Sequence, residues 1–182
     1  MPLRPGKCYR HFSGPPYTRK DYVKDFPAMR IQTFDMGTPS GDFPLQLSLL
    51  VMASGQIRHN ALEAGRMAAN RYLETSVGKE NYHLKIRVYP HHIIREHLLA
   101  VGAGADRVSE GMRLSFGRAG GTAARVKAGQ PVATVRTLPQ FEAQAREALR
   151  RLSLKLPFPC KIRVESAPQP PKAGEQESRK SP

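Results

Sequence analysis

The chain has 182 residues, with 29 Lys and Arg against 15 Asp and Glu and a formal charge of +14, which fits one ordinary core with arms and predicts a polyanionic partner, nucleic acid first. A membrane span is excluded, because the longest apolar run, Phe43 to Ala53, is broken by Gln46 and Ser48 and is far too short. Two cysteines, Cys8 and Cys160, make no disulfide framework, and Pro2, Arg4 and Pro5 offer no apolar secretory run, so a cytoplasmic protein is expected.

Residues 1–27 interleave Arg4, Lys7, Arg10, Arg19, Lys20 and Lys24 with Tyr9, Phe12, Tyr17 and Tyr22. Pro15 and Pro16 fix their own φ and bias Gly14 toward extended geometry, so the segment reads as a stiff, extended basic arm. Such an arm can lie along an RNA backbone; alternatively, its aromatics cover the margin of the core. Met29 to Phe34 and Pro44 to Met52 are expected as strands, the second a nearly continuous apolar run of the doubly buried kind.

A helix is predicted over Gln56 to Thr75, with Ile57, Ala61, Ala64, Ala68 and Tyr72 on one stripe, widened by Leu62, Ala69 and Leu73. Gly65 lies mid-stripe, where it lowers helix propensity and permits close approach of another backbone. The opposite arc carries His59, Arg66, Asn70 and Arg71, which suits phosphate contact or an ordinary solvated face shared with Glu63 and Glu74.

Tyr82 to Tyr89 alternates Leu84, Ile86 and Val88 with His83, Lys85 and Arg87, the period of a half-buried strand ended by Pro90. His91 to Leu99 fits a strand or a helical turn. Residues 100–111 have neither core periodicity nor bulk and read as a long mobile loop. A strand over Thr122 to Val126 and another over Val132 to Arg136 are followed by a helix near 138–153. Its proposed start is a capping box of Thr137 and Gln140, and its apolar face is Phe141, Ala145, Ala148, Leu149 and Leu152. Cys160 to Glu165 alternates as a last strand, and 166–182 has the composition of a disordered tail. The sum is an α+β domain over 28–165 with an arm and a tail.

Gly111 to Val126 holds Gly111, Gly117, Gly120 and Gly121 with Arg113, Arg118 and Arg125 and no acid. Glycines let a backbone lie directly on a surface, and arginines supply planar donors for phosphate and base stacking. Structured RNA is one such surface; a turn with solvated arginines is the other reading. The Gly117-Arg-Ala-Gly120 spacing matches the loop of KH domains, but a strand follows it where those domains have a helix. Neither nucleotide-binding glycine pattern is present. Cys8 and His11, with His91, His92 and Cys160 elsewhere, do not form the two paired clusters of a structural zinc site, so no metal or cofactor is expected. No nucleophile elbow or paired carboxylates occur, so no catalytic residues and no enzyme are expected.

Five separated segments, RPGKCYRHFSGPPYTRKDY, SGQIRHNALEAGRMAANRYL, KIRVYPHHIIREHLL, GAGADRVSEGMR and FGRAGGTAARV, together resemble the universal large-subunit ribosomal protein sixteen family in its archaeal and eukaryotic "ten-e" form. The resemblance runs from about Arg4 to Glu165. It departs from the family wording at Leu114, Ser115, Arg118 and Ala119, keeping the basic character. It implies a hammerhead-type α+β fold, a mixed sheet packed by two helices, with the extended basic N-terminal arm.

The resemblance further implies a structural constituent of the large subunit. Its partners would be large-subunit rRNA near the tRNA cleft and the 5S rRNA region, tRNA itself, and neighbouring ribosomal proteins. A free RNA-binding or assembly factor is the alternative. The rRNA contacts so implied are Arg4, Lys7, Arg10, Tyr17, Arg19 and Lys20 in the arm and Arg58, His59, Arg66 and Arg71 in the helix segment. Arg113, Arg118, Arg125 and Lys127 complete them in the glycine-rich stretch. The tRNA-facing loop would be Val101, Gly102, Ala103, Gly104, Ala105, Asp106, Arg107, Val108 and Ser109.

Overall fold

A computed structural model describes residues 5–19, 21, 23, 26–96 and 117–166. The loop at 101–109, Arg4, Lys20, Arg113 and the tail beyond 166 lie outside the described residues. The strands are β1 (Asp35–Gly37), β2 (Leu45–Val51), β3 (Gly55–Arg58), β4 (Tyr82–Ile86), β5 (His92–Glu96), β6 (Arg118–Val126), β7 (Pro131–Thr137) and β8 (Cys160–Ser166). Among the described residues the α-helices are α1 (His59–Ser76) and α2 (Glu142–Ser153). The expected α+β architecture holds, with the strands divided into a five-stranded sheet, β1-β4-β7-β2-β8, and a three-stranded sheet, β3-β6-β5. Every strand pair is antiparallel.

Cross-strand register decides which side chains share a face, because directly opposed residues of an antiparallel pair point the same way. Leu84, Val135 and Leu47 form one opposed row, and Ile86, Ala133, Leu49 and Ile162 another. These rows lie in a core that also takes in Ile57, Ala124 and Val126 of the smaller sheet and the apolar faces of both helices. Helix α2 presents Ala145, Ala148, Leu149 and Leu152, at positions i, i+3, i+4 and i+7, all buried. Each fully buried leucine of this set contributes about 1.5–3 kcal/mol by removal from water.

The buried stripe of α1 is Leu62, Gly65, Ala69 and Leu73, with His59 at its head. Ala64, expected at the centre of the stripe, is exposed, and Ala68 and Tyr72 are half-buried. The larger leucines gain more from burial than the alanines and set the rotation of the helix. Gly65 permits the close approach anticipated for it: a Cβ there would lie 3.1 Å from Leu152 Cγ and 3.5 Å from the Leu152 carbonyl oxygen. After α1, Gly78 at φ 86° turns the chain out of the helix while its N–H donates to the Leu73 carbonyl.

Several expected boundaries move. Met29 to Phe34 forms no strand: Ile31 is fully buried, but the Arg30 N–H is taken by His59 Nδ1 at 2.9 Å, and the regular ladder begins only at Asp35. Gln56 to Arg58, read as the first helical turn, pairs with β6 as a strand, and α1 begins at His59. The ambiguous segment after Pro90 is a strand, β5. Thr137 caps no helix, since its hydroxyl donates to the Asn81 carbonyl at 2.9 Å, and a 3-10 turn at Pro139–Phe141 leads into α2. The arm is not extended throughout, because Gly6–Tyr9 forms a 3-10 turn with Tyr9 buried. Both cysteines are free thiols.

Candidate nucleic-acid interface

The arm runs over the three-stranded sheet and is held there at successive points. The Ile93 N–H donates to the Tyr17 carbonyl at 2.9 Å, and the Tyr17 N–H donates to His92 Nδ1 at 2.8 Å. Gln56 Nε2 donates to the His11 carbonyl at 3.2 Å, and Arg125 Nη1 donates to the Gly14 carbonyl at 2.7 Å. Gly55 is the closest point: a Cβ there would stand 2.6 Å from the Arg10 carbonyl oxygen and 2.1 Å from the Phe158 ring.

Three arginines of the sheet stack on three aromatics of the arm. Arg58 lies over Tyr9, Arg95 over Tyr17 and Arg125 over Phe12, each 4.7 Å from the ring centroid. Stacking of this kind contributes about 0.5–1 kcal/mol at exposed sites and more as water is excluded. The Tyr9 hydroxyl also donates to a carboxylate oxygen of Glu96. Tyr9, Phe12 and Tyr17 of the arm are therefore each matched by an arginine of the chain itself, in keeping with the second reading, in which the arm's aromatics cover the margin of the core.

Two histidines are kept neutral on the smaller sheet's side, one of them, His92, within this contact. Burial, then the charges of Arg125, His91 and Arg95, pushes His92 down to about 4, which leaves Nδ1 free to accept the Tyr17 N–H. Burial, then Arg30 and Arg58, lowers His59, whose Nδ1 accepts from Arg30. His59 was expected on the polar arc of the helix; it is buried instead, and Gly121 makes room for it, since a Cβ at 121 would come within 3.3 Å of Nε2. At Gly117, φ 72°, an added Cβ would come within 3.1–3.3 Å of the Glu96 backbone. The surface that these glycines approach is the chain's own β5 and His59.

The family model for ribosomal protein L16p/L10e matches residues 12–163. The chain belongs to the L16p/L10e family of ribosomal proteins. It is 54% identical over 167 residues to the large ribosomal subunit protein uL16 of Thermofilum pendens, covering 92% of this chain and 99% of that one. The protein of the same name from Staphylothermus marinus is 53% identical over 162 residues, 89% of this chain and 93% of the relative. That from Methanococcus aeolicus is 50% identical over 162 residues, 89% and 94% respectively. Membership in L16p/L10e makes this a structural protein without enzymatic activity.

Within this L16p/L10e chain the candidate contact residues fall into two groups. Tyr17, Arg58 and Arg125 are half buried in the contact between arm and sheet, and His59 is buried beside the Arg30 amide and Gly121. Lys7, Arg10, Arg19, Arg71, Arg118 and Lys127 are exposed. Arg66 stands between the groups: its guanidinium is bidentate to Glu63 at 2.6 and 2.8 Å and touches Met36 Sδ at 3.3 Å. That pairing, against partial desolvation, holds its pKa above the ordinary arginine value.

Arg71 borders a groove of about 460 Å³ between the two helices, where Arg151 stacks on Tyr72 at 4.0 Å beside Lys155 and Leu154. Sequence reasoning missed Arg151, Lys155 and the arm's sheet-side partners Gln56 and His92. Helical spacing alone could have placed Arg151 on the outer face of α2, but no local signal pairs Gln56 or His92 with an arm some 45 and 75 positions away.

Proposed function

We propose that this chain is a structural constituent of the large ribosomal subunit in the cytoplasm, held on rRNA by its lysines and arginines. The observation that carries the reading is the family match over 12–163 together with relatives named large ribosomal subunit protein uL16 that align along nearly their whole length. The charge of +14 and the exposed Lys7, Arg10, Arg19, Arg71, Arg118 and Lys127 supply the electrostatics that rRNA requires. Among the described residues no helix is long and apolar enough to cross a membrane.

In finer detail, residues 1–27 serve as the rRNA-binding arm and 28–165 as the rRNA-binding domain, with 166–182 a separate tail. The domain sits near the tRNA cleft and the 5S rRNA region among neighbouring ribosomal proteins. Val101 to Ser109 faces tRNA, with Arg107 toward RNA. Arm residues divide their work: backbone and aromatics grip the sheet, and the outward cations reach phosphate. Peptide transfer needs no residue of this chain.

Sucrose-gradient sedimentation of lysate in low and then high salt, followed by mass spectrometry, tests the assignment. One copy per large subunit after the high-salt wash is the expected result. Release by salt, or migration near the top of the gradient, overturns it in favour of a free RNA-binding or assembly factor.

A further inference from the structure

The five-stranded sheet has a second face, turned away from the helices, and register shows what it carries. Asp35, Lys85, Thr134, Ser48 and Arg163 are opposed in succession across all five strands. Gly37, His83, Arg136, Gln46 and Glu165 form the next such row. Both rows point to the side opposite the core rows, so a polar surface spans the whole width of the sheet.

Near its middle is a recess of about 80 Å³ lined by His83, Lys85, Arg87, Thr134 and Arg136. Lys85, Arg87 and Arg136 are exposed, and the Arg87 guanidinium has no hydrogen-bond or ion-pair partner among the described residues. One carboxylate answers them: Asp35 Oδ1 lies 3.1 Å from His83 Nε2 and 3.2 Å from Lys85 Nζ. Lys85, Arg87 and Arg136 set against Asp35 are three cations to one anion, an excess of +2. Arg136 donates only to a neutral group, Gln46 Oε1 at 3.1 Å.

The floor of the recess holds an unusual group. Thr134 is 3% exposed, and its hydroxyl oxygen is buried without a hydrogen-bond partner. A buried unsatisfied hydroxyl costs about 1–3 kcal/mol in the free protein. Lys85 and Arg136, which flank it, are long and exposed, so an anion can part them to reach it. Guanidinium, ammonium and hydroxyl donors converging on one small hollow match the oxygens of a phosphodiester, which accept from all three.

We infer that this recess is a phosphate-binding site for the RNA backbone, built on the face of the five-stranded sheet opposite the helices. The inference rests on the proposed rRNA-bound function and adds to it a surface separate from the arm and from the glycine-rich strand. The site positions RNA and reads no sequence, since it offers its donors to phosphate.

The test is filter binding of the full chain to purified large-subunit rRNA across a salt series, with the wild type, Thr134→Val and the triple variant Lys85→Ala, Arg87→Ala, Arg136→Ala. Three lost phosphate contacts lower the slope of log affinity against log salt by about 2–3. Thr134→Val weakens binding several-fold with the slope unchanged, while leaving the free protein as stable or more so, because it removes an unsatisfied hydroxyl. Should the triple variant misfold, Thr134→Val and the single Arg87→Ala decide the matter. A wild type that binds beside variants with unaltered affinity and slope overturns this inference alone. A wild type that fails to hold rRNA overturns the proposed function and this site with it. Variants that keep rRNA binding and slope yet drop out of large subunits assign the face to an acidic protein neighbour and overturn the phosphate site.

Discussion

The two sheets use the same residue type in opposite ways. On the three-stranded sheet Arg58, Arg95 and Arg125 lie flat on aromatics of the arm, and Arg125 also donates to a backbone carbonyl. On the outer face of the five-stranded sheet Arg87 and Arg136 are exposed, the guanidinium of one without a partner among the described residues and that of the other held by a glutamine. The contrast comes from what lies above each sheet: where the chain returns over its own strands, guanidinium groups become internal fasteners, and where it does not, they remain outward charges. An arginine-rich sequence is thus a poor guide to how many arginines are available to a partner.

The heaviest disturbance removes the floor beneath both sheets. Leu149→Ala, in a fully buried position of α2, should cost about 2–5 kcal/mol in urea unfolding. An unchanged midpoint would show that the two sheets do not share one core. Gly55→Val acts on one side of the comparison only. It drives a side chain into the Arg10 carbonyl and the Phe158 ring, should cost roughly 1–3 kcal/mol and should speed proteolysis within residues 5–19.

Arg125→Ala and Arg136→Ala form the sharpest pair. The first loses a stacked ring and a hydrogen bond, together about 1–2 kcal/mol. The second should fall within about 0.5 kcal/mol, as exposed substitutions do. Equal losses would dissolve the distinction between fastener and outward charge. Acid offers a gentler probe. His92 and His59 have lowered pKa values in the fold, so the stability they contribute is complete above 6.5, the ordinary histidine value. It declines as pH falls, with His92 losing its share through about 4. The decline should appear first as arm release at constant core fluorescence or amide protection, and His92→Ala should flatten it while weakening the arm at pH 7.

Much of the five-stranded sheet was legible because its elements carry period-two or continuous apolar patterns. Leu45 to Val51 falls within the expected Pro44 to Met52, Tyr82 to Ile86 takes up all but the last three residues of the expected Tyr82 to Tyr89, and α2 shows its apolar face at unbroken helical spacing. The smaller sheet was harder. Gln56, Ile57 and Arg58 suit the first turn of the following helix as well as a strand, and only pairing with β6, far along the chain, selects the strand. The same holds for the contact set. Basic residues could be counted from the sequence, but whether Arg125 faces RNA or Phe12 depends on register among β3, β6 and β5 and on the course of an arm distant from all three. His59 looked like a polar helical residue because its neighbours in space, Arg30 and Gly121, are remote in sequence.

The hydrogen bond from Ile93 to Tyr17 has a bearing on solubility. Strand β5 ends the three-stranded sheet, so its outer margin would otherwise present unpaired amides, the template on which strange chains add as extra strands. Tyr17 occupies part of that margin, once through its carbonyl and again through the His92 ring. The arm thereby covers part of an edge on which a second chain could add a strand. A form lacking residues 1–17 should sediment as oligomers at concentrations where the full chain stays monomeric.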